Sequence, residues 1–363
     1  MKFGDIVTII NGRNQKQVES VTGNYPIYGS GGIIGWATDY ICEPHTVVIG
    51  RKGTINRPIY VETPFWNVDT AFGLAADTTR LLPKYLYYFC CYFDFEALNT
   101  TVTIPSLTKA NLQKIDIELP SLEKQREVIA VLDKITQVMD LRKQQMTKLD
   151  ALVKARFVEL FGFLNDNEKG LDIVSIEELC TLIKDGTHQT PTYTEDKQNG
   201  FKFLSSKDVM TQKICWDDIK YIPAELHEKL YATIQPQRND ILMSKNGVNY
   251  GVAAVNDTDE IFDIYVSLAL LRPRTDMVNP VYLRCVINNP DTKRQFDSSI
   301  KGIGVPNLHL GEIKKTKVLL PPIEKQNEFV AFVEQTDKSK LTIQQSLDKL
   351  ETLKKSLMQK YFG

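Results

Sequence analysis

The strongest constraint on this chain is that much of it is written twice. Pairing Pro105 with Pro306 sets an offset of 201 residues, which then holds without a gap to the last residue. Leu119-Pro120 meets Leu320-Pro321, Glu123-Lys124-Gln125 meets Glu324-Lys325-Gln326, and Phe161-Gly162 meets Phe362-Gly363; 17 of the 58 paired positions are identical. Such a match implies two copies of one structural unit and decides the architecture before any local pattern is read. The rest repeats more loosely. Val48-Ile49-Gly50-Arg51-Lys52-Gly53 resembles Leu242-Met243-Ser244-Lys245-Asn246-Gly247, and Asn67-Val68-Asp69-Thr70-Ala71 sits where Tyr265-Val266-Ser267-Leu268-Ala269 does. The order is variable 1–118, preserved 119–162, variable 163–319 and preserved 320–363.

The preserved segments read as long helices. Ser121 follows the Leu-Pro stop as an N-cap, Glu123 lies in the first turn, and nothing helix-breaking follows before Gly162. Roughly 40 residues at 1.5 Å each predict a rod of about 60 Å. Apolar residues recur along it at alternating steps of four and three: Val128, Leu132, Ile135, Met139, Met146, Leu149, Val153 and Leu160, interrupted by Arg142 and Arg156. The same register in the second copy runs through Phe329, Val333, Thr336, Ile343, Leu347, Leu350, Leu357 and Tyr361, interrupted by Lys340 and Lys354. This is a coiled-coil seam. A parallel homodimer would stack like charges, so the pattern favours an antiparallel pair within one chain.

The variable segments read as mixed α/β domains. HTVVIG, RPIYVE and DILMS are short β-rich runs among Gly-rich turns, and helices are expected over 83–98 and 280–296. The string YGSGGIIG (28–35) lacks the GxGxxG spacing and any following Lys-Ser or Lys-Thr, so it reads as a flexible turn rather than a phosphate loop. The fold class is therefore α/β: two mixed α/β domains separated by two long antiparallel helices, with an internal twofold repeat.

Composition excludes several functions. At 363 residues the chain is too long for one ordinary core, and 42% hydrophobic with 25% charged residues is usual for a soluble globular protein. No apolar run approaches a membrane span and the first residues do not form a signal peptide, so a cytoplasmic location is expected. The six cysteines have no CxxC spacing and the four histidines do not cluster with them; no metal is expected, and the thiols should pack as small apolar groups. No GxSxG, HExxH, Walker or Asn-Pro-Pro-aromatic motif is present, which shifts weight from catalysis to recognition.

Both variable segments carry loops rich in groups that bond base edges and phosphates. The first offers Tyr28, Ser30, Arg51, Lys52 and Thr54; the second offers Lys184, Thr187, His188, Ser206, Lys207, Lys245, Asn246 and Asn249. Glycines beside them let backbone approach a duplex, and Arg or Lys supplies guanine or phosphate contacts. The Arg51 and Lys245 turns occur as a matched pair. Formal net charge is −1 overall, and −1, +2, −3 and +1 for the four segments in order, so no segment is a polycation. The isolated chain is accordingly expected to bind DNA weakly and with a shallow salt dependence.

The Leu-Pro-x-x-Glu-Lys-Gln openings at 119 and 320, the Phe-Gly endings, and the strings YPIYGSGGIIG, IGRKGT, DGTHQTP and FLSSKDV resemble the specificity subunit of type I restriction-modification systems. The resemblance covers essentially the whole chain. It implies two target-recognition domains (1–118 and 163–319) alternating with two conserved helical regions (119–162 and 320–363). Each domain would read one half of a split double-stranded DNA sequence, and the helix pair would set the unread spacer. It further implies two methyltransferase subunits that methylate adenine at N6 and restriction subunits that translocate DNA. S-adenosylmethionine and ATP would sit on those partners, and this chain would hold no cofactor. The unequal lengths of the two variable segments imply a non-palindromic target. A coiled-coil scaffold that binds protein partners without reading DNA is the alternative.

Overall fold

The computed structural model describes residues 1–98, 106–300 and 306–363; Pro105, where the ungapped match begins, lies outside the described residues. The chain forms two compact units, Met1–Gln145 with Thr342–Gly363, and Met146–Leu341. Each combines one variable segment with part of both long helices, which run over Leu122–Phe161 and Ile323–Phe362. The bounds of the two helices differ by the 201 residues of the sequence repeat at both ends. No helix among the described residues is long and apolar enough to cross a membrane.

In the first unit, strands β1 (Val7–Asn11), β2 (Tyr25–Gly29), β3 (Gly32–Ala37), β4 (Thr46–Gly50), β5 (Ile59–Val61), β6 (Trp66–Asn67) and β7 (Ala71–Ala76) form two sheets. Their orders are β1-β7-β4-β5 and β3-β2-β6, and only the β2–β6 pair is parallel. The second unit contains β8 (Asp172–Ser175), β9 (Cys180–Asp185), β10 (Phe201–Leu204), β11 (Lys220–Ile222), β12 (Ile241–Ser244), β13 (Ala253–Val255), β14 (Phe262–Ile264), β15 (Leu268–Pro273) and β16 (Lys317–Leu320). Its sheets β9-β15-β12-β13 and β11-β10-β14 repeat the first unit strand for strand, including one parallel pair, β10–β14. The topology is thus duplicated even where the sequence has diverged. The extra length of the second variable segment includes helix Ala224–Tyr231.

Each core joins sheet and helix. In the first unit Phe3, Phe72, Tyr85 and Phe89 pack with Val128, Leu132 and Met358 of the long helices. In the second, Phe157, Phe161, Tyr282 and Phe329 pack with mutual ring-centroid distances of 5.1–6.4 Å. The Phe-Gly endings are core anchors: Phe362 lies 5.1 Å from Tyr85, as Phe161 lies 5.2 Å from Tyr282.

The long helices run antiparallel within each unit. In the second unit Lys340 reaches Asp150 and Glu328 reaches Arg156, so contacts advance along one helix while they retreat along the other. In the first, Ile135 and Met139 pack with Leu347, Ile343, Leu350 and Leu357. Every seam position is buried or half-buried, Met146 and Leu149 among the half-buried and Val333 in the core. Three of the four polar intruders are met by groups on the facing helix: Lys340 by Asp150, Lys354 by Thr136 Oγ1 at 3.0 Å, and Arg156 by Glu328 at 3.0 Å, while Arg142 donates to Gln145 on its own helix at 2.9 Å.

The recurring Gln of the helix opening has a structural role. Gln125 and Gln326 are both fully buried. Gln125 Nε2 donates to the Pro120 and Arg80 carbonyls, each at 2.9 Å, while its Oε1 accepts from Leu82 N–H at 2.8 Å. Gln326 repeats this with the Pro321 and Met277 carbonyls (2.8 and 3.1 Å) and Asn279 N–H (2.8 Å). Leu82 and Asn279 are the N-cap residues of helices Pro83–Tyr92 and Pro280–Ile287, so one side chain ties the start of a long helix to the start of a domain helix.

Three expectations are corrected here. The helix expected over 83–98 ends at Tyr92 and resumes as a 3-10 turn, Phe95–Leu98. The one expected over 280–296 breaks after Ile287, because Pro290 lacks the N–H to continue it; Asn289 instead caps a new helix, Pro290–Ser299, accepting from Asp291 N–H. YGSGGIIG is not a loose turn but most of the β2–β3 hairpin, with Gly32 at φ +128° beside its Ser30-Gly31 tip. Cys90 and Cys180 are buried, and Cys42, also buried, donates its thiol to Asn67 Oδ1 at 3.2 Å; burial pushes the Cys42 thiol up to about 12, whereas Cys91 is exposed.

Candidate nucleic-acid interface

In both units the sheet ends in the same construction. The backbone leaving β4 at Arg51 donates N–H to the Thr70 carbonyl (2.8 Å), and the Arg51 carbonyl accepts from Leu107 N–H (2.9 Å). At the end of β12, Lys245 donates N–H to the Ser267 carbonyl (3.0 Å) and accepts from Leu308 N–H (2.7 Å). Bridges Lys52–Ser106 and Asn246–Asn307 extend the match. A third strand end completes each construction. After β1, Gly12 N–H donates to the Ala71 carbonyl, and after β9, Gly186 N–H donates to the Leu268 carbonyl, both at 3.2 Å. A Cβ at Gly12 would lie 1.8 Å from the Val68 carbonyl oxygen and one at Gly186 2.3 Å from that of Ile264, so only glycine allows this crossing. Arg51 and Lys245, and Asn11 and Asp185, are therefore equivalent positions.

The equivalent positions carry different chemistry. Arg51 is half-buried with its guanidinium 5.7 Å above the Phe72 ring; it donates to the Asp69 carbonyl at 3.4 Å and has no carboxylate partner among the described residues. Lys245 is buried, and its Nζ lies 2.7 Å from Asp185 Oδ2. The matched turns were expected to present a cation in each unit; at Lys245 the ammonium is paired with the acid that ends β9, where β1 ends in Asn11. His188 is exposed, with Nε2 3.4 Å from the same carboxylate. Asp185 Oδ1 and Asn246 Oδ1 are buried acceptors without a partner among the described residues.

The remaining candidates divide. In the first unit Lys52 and Thr54 are exposed on the turn itself, and Ser30, at the hairpin tip, has its Cβ 3.1 Å from where a Gly50 Cβ would be. Tyr28 packs its ring on Phe65 at 5.3 Å, and burial raises its hydroxyl pKa, so it is in part a core residue. In the second unit Thr187, Ser206, Asn246 and Asn249 gather around the Lys245 turn: Ser206 N–H donates to Ser267 Oγ (3.0 Å), and Thr187 N–H donates to the Ile264 carbonyl (3.0 Å). Asn249 is exposed. Two lysines point elsewhere. Lys184 lies on the opposite face of β9 from Asp185 and donates to the Thr233 carbonyl, while Lys207 reaches the Asp218 carbonyl. Asn11 is a further candidate: the INGRN string that ends β1 parallels the KDGTH string that ends β9.

A model of the type I restriction modification DNA specificity domain matches residues 1–151 and 168–354. The type I restriction enzyme EcoBI specificity subunit of Escherichia coli is 21% identical over 94% of this chain and 77% of its own length. The EcoKI specificity subunit of Escherichia coli strain K12 is 22% identical over 88% of this chain and 74% of its own. Among solved structures, a type I restriction-modification S subunit from M. genitalium superposes with a TM-score of 0.62 at 15% identity, covering all of this chain and 95% of that one. A chain from a structure of complex assembly and conformational transition in a type I system gives 0.58 at 16% identity, over 99% and 96%.

Proposed function

Because this chain belongs to the type I restriction-modification DNA specificity family, we propose that each of its units reads one half of a bipartite, asymmetric DNA target. The chain is a non-catalytic recognition subunit. In this reading the unit containing Arg51 takes one half-site and the unit containing Lys245 the other, and the helix pair holds the gap between the halves constant. Two adenine-N6 methyltransferase subunits join it and carry S-adenosylmethionine; restriction subunits use ATP. The observation that supports this most is the duplicated strand-end construction with unlike side chains: Asn11 with an Arg51 that has no carboxylate partner among the described residues in one copy, Asp185 paired with Lys245 in the other. Identical construction supports one mode of reading, and unlike chemistry supports different half-sites.

Arg51→Ala tests it. In the complex with modification subunits, the substitution is expected to weaken recognition of one half-site by about 1–3 kcal/mol, or to lower the salt slope by about 1 if the contact is to phosphate. The fold should be unaffected. Competition binding with one half-site randomised at a time measures this, and equal loss at both halves would contradict the assignment.

A further inference from the structure

We propose that the β2–β3 hairpin tip reads a thymine 5-methyl group, through Ile34 with Ile33 beside it, in the half-site that Arg51 contacts; this rests on the DNA-reading function above. Ile33 and Ile34 are adjacent, 54% and 56% exposed, and set between glycines at the end of a hairpin. Two consecutive β-branched aliphatic residues left about half exposed keep apolar surface that the core beneath them does not use and that is open to a contact.

Its neighbours say which contact. Ile34 Cγ2 and Val68 Cγ2 lie 3.6 and 3.7 Å from where a Gly29 Cβ would be, so both side chains border Gly29. The residue after Val68 is Asp69, whose carbonyl accepts from the Arg51 guanidinium. Ser30 at the tip borders Gly50, the residue before Arg51, and exposed Lys52 follows. The aliphatic pair and the cations thus share one edge of the unit, which fits a polyanionic duplex better than a neutral protein surface. In the major groove, Arg pairs with guanine and an apolar group contacts the thymine methyl. A Cβ added at Gly31 or Gly32 would meet nothing within 4 Å, so the tip is open to its surroundings and has room to enter a groove.

The test uses the full chain in complex with its modification subunits and a duplex carrying the mapped target. Thymines of the half-site assigned by Arg51→Ala are replaced one at a time by deoxyuridine, which removes only the methyl group. One replacement is expected to weaken binding about fourfold, the worth of a buried methyl group. Ile33→Ala with Ile34→Ala should bind the thymine and uracil duplexes equally while keeping its response to changes in the other half-site; Ile34→Val should keep the preference. If no uracil in this half-site matters, or the double variant still prefers thymine, the inference is overturned. If the double variant loses its modification subunits while residual complex keeps the preference, the tip docks protein instead. Absence of any sequence-dependent binding by the wild-type complex would remove the DNA-reading function itself, a separate and recognisable failure.

Discussion

Lys245→Ala is expected to destabilise the second unit by about 3–5 kcal/mol, as removing one partner of a buried ion pair does. The ammonium is 2.7 Å from Asp185 Oδ2, and their side chains are only 6% and 19% exposed. Truncation leaves a carboxylate whose other oxygen already lacks a partner among the described residues. Replacing both members, with Lys245→Met and Asp185→Leu, should recover most of the loss, since the desolvation cost of the pair disappears with it. Arg51→Ala, at the equivalent position, should change stability by less than about 0.5 kcal/mol. Segment-resolved amide exchange on the three variants separates these outcomes. A Lys245→Ala protein as protected as wild type but defective on DNA would make Lys245 a reader rather than a strut.

The second large effect concerns the repeated glutamines. Gln326→Ala removes three hydrogen bonds from a fully buried side chain and strands the Pro321 and Met277 carbonyls and Asn279 N–H. At about 1 kcal/mol each, the loss should be about 3 kcal/mol, with early fraying of helix Pro280–Ile287. Gln125→Ala should match it in the first unit, with the fraying at helix Pro83–Tyr92. Gln→Glu keeps the acceptor but loses both donors and buries a charge, so it should be no better than alanine. Unequal losses in the two units would show that the repeated motif does not do the same work twice.

Which features were legible follows from the range of the interactions that make them. The long helices and their seam depend on neighbours three and four residues apart, so Leu132, Ile135, Leu347 and Leu350 could be placed from periodicity. The ungapped offset carried the helix bounds from one copy to the other. The burial of Lys245 was not legible, because its partner, Asp185, comes from a strand 60 residues earlier and nothing near Lys245 announces a buried carboxylate. The break before Pro290 was legible in principle and passed over. The role of Gln125 was not: its acceptors include Arg80 O, 45 residues away. The candidate loops could be found from composition, but which side chains face outward depends on how three strand ends cross.

The most direct measurement is to co-express this chain with its modification subunit and map N6-methyladenine across a genome. The account predicts one motif in two unlike halves separated by a constant gap, with an exchange of residues 1–118 for those of a related chain altering one half only. An unsplit or palindromic motif, or an exchange that alters both halves, would contradict it.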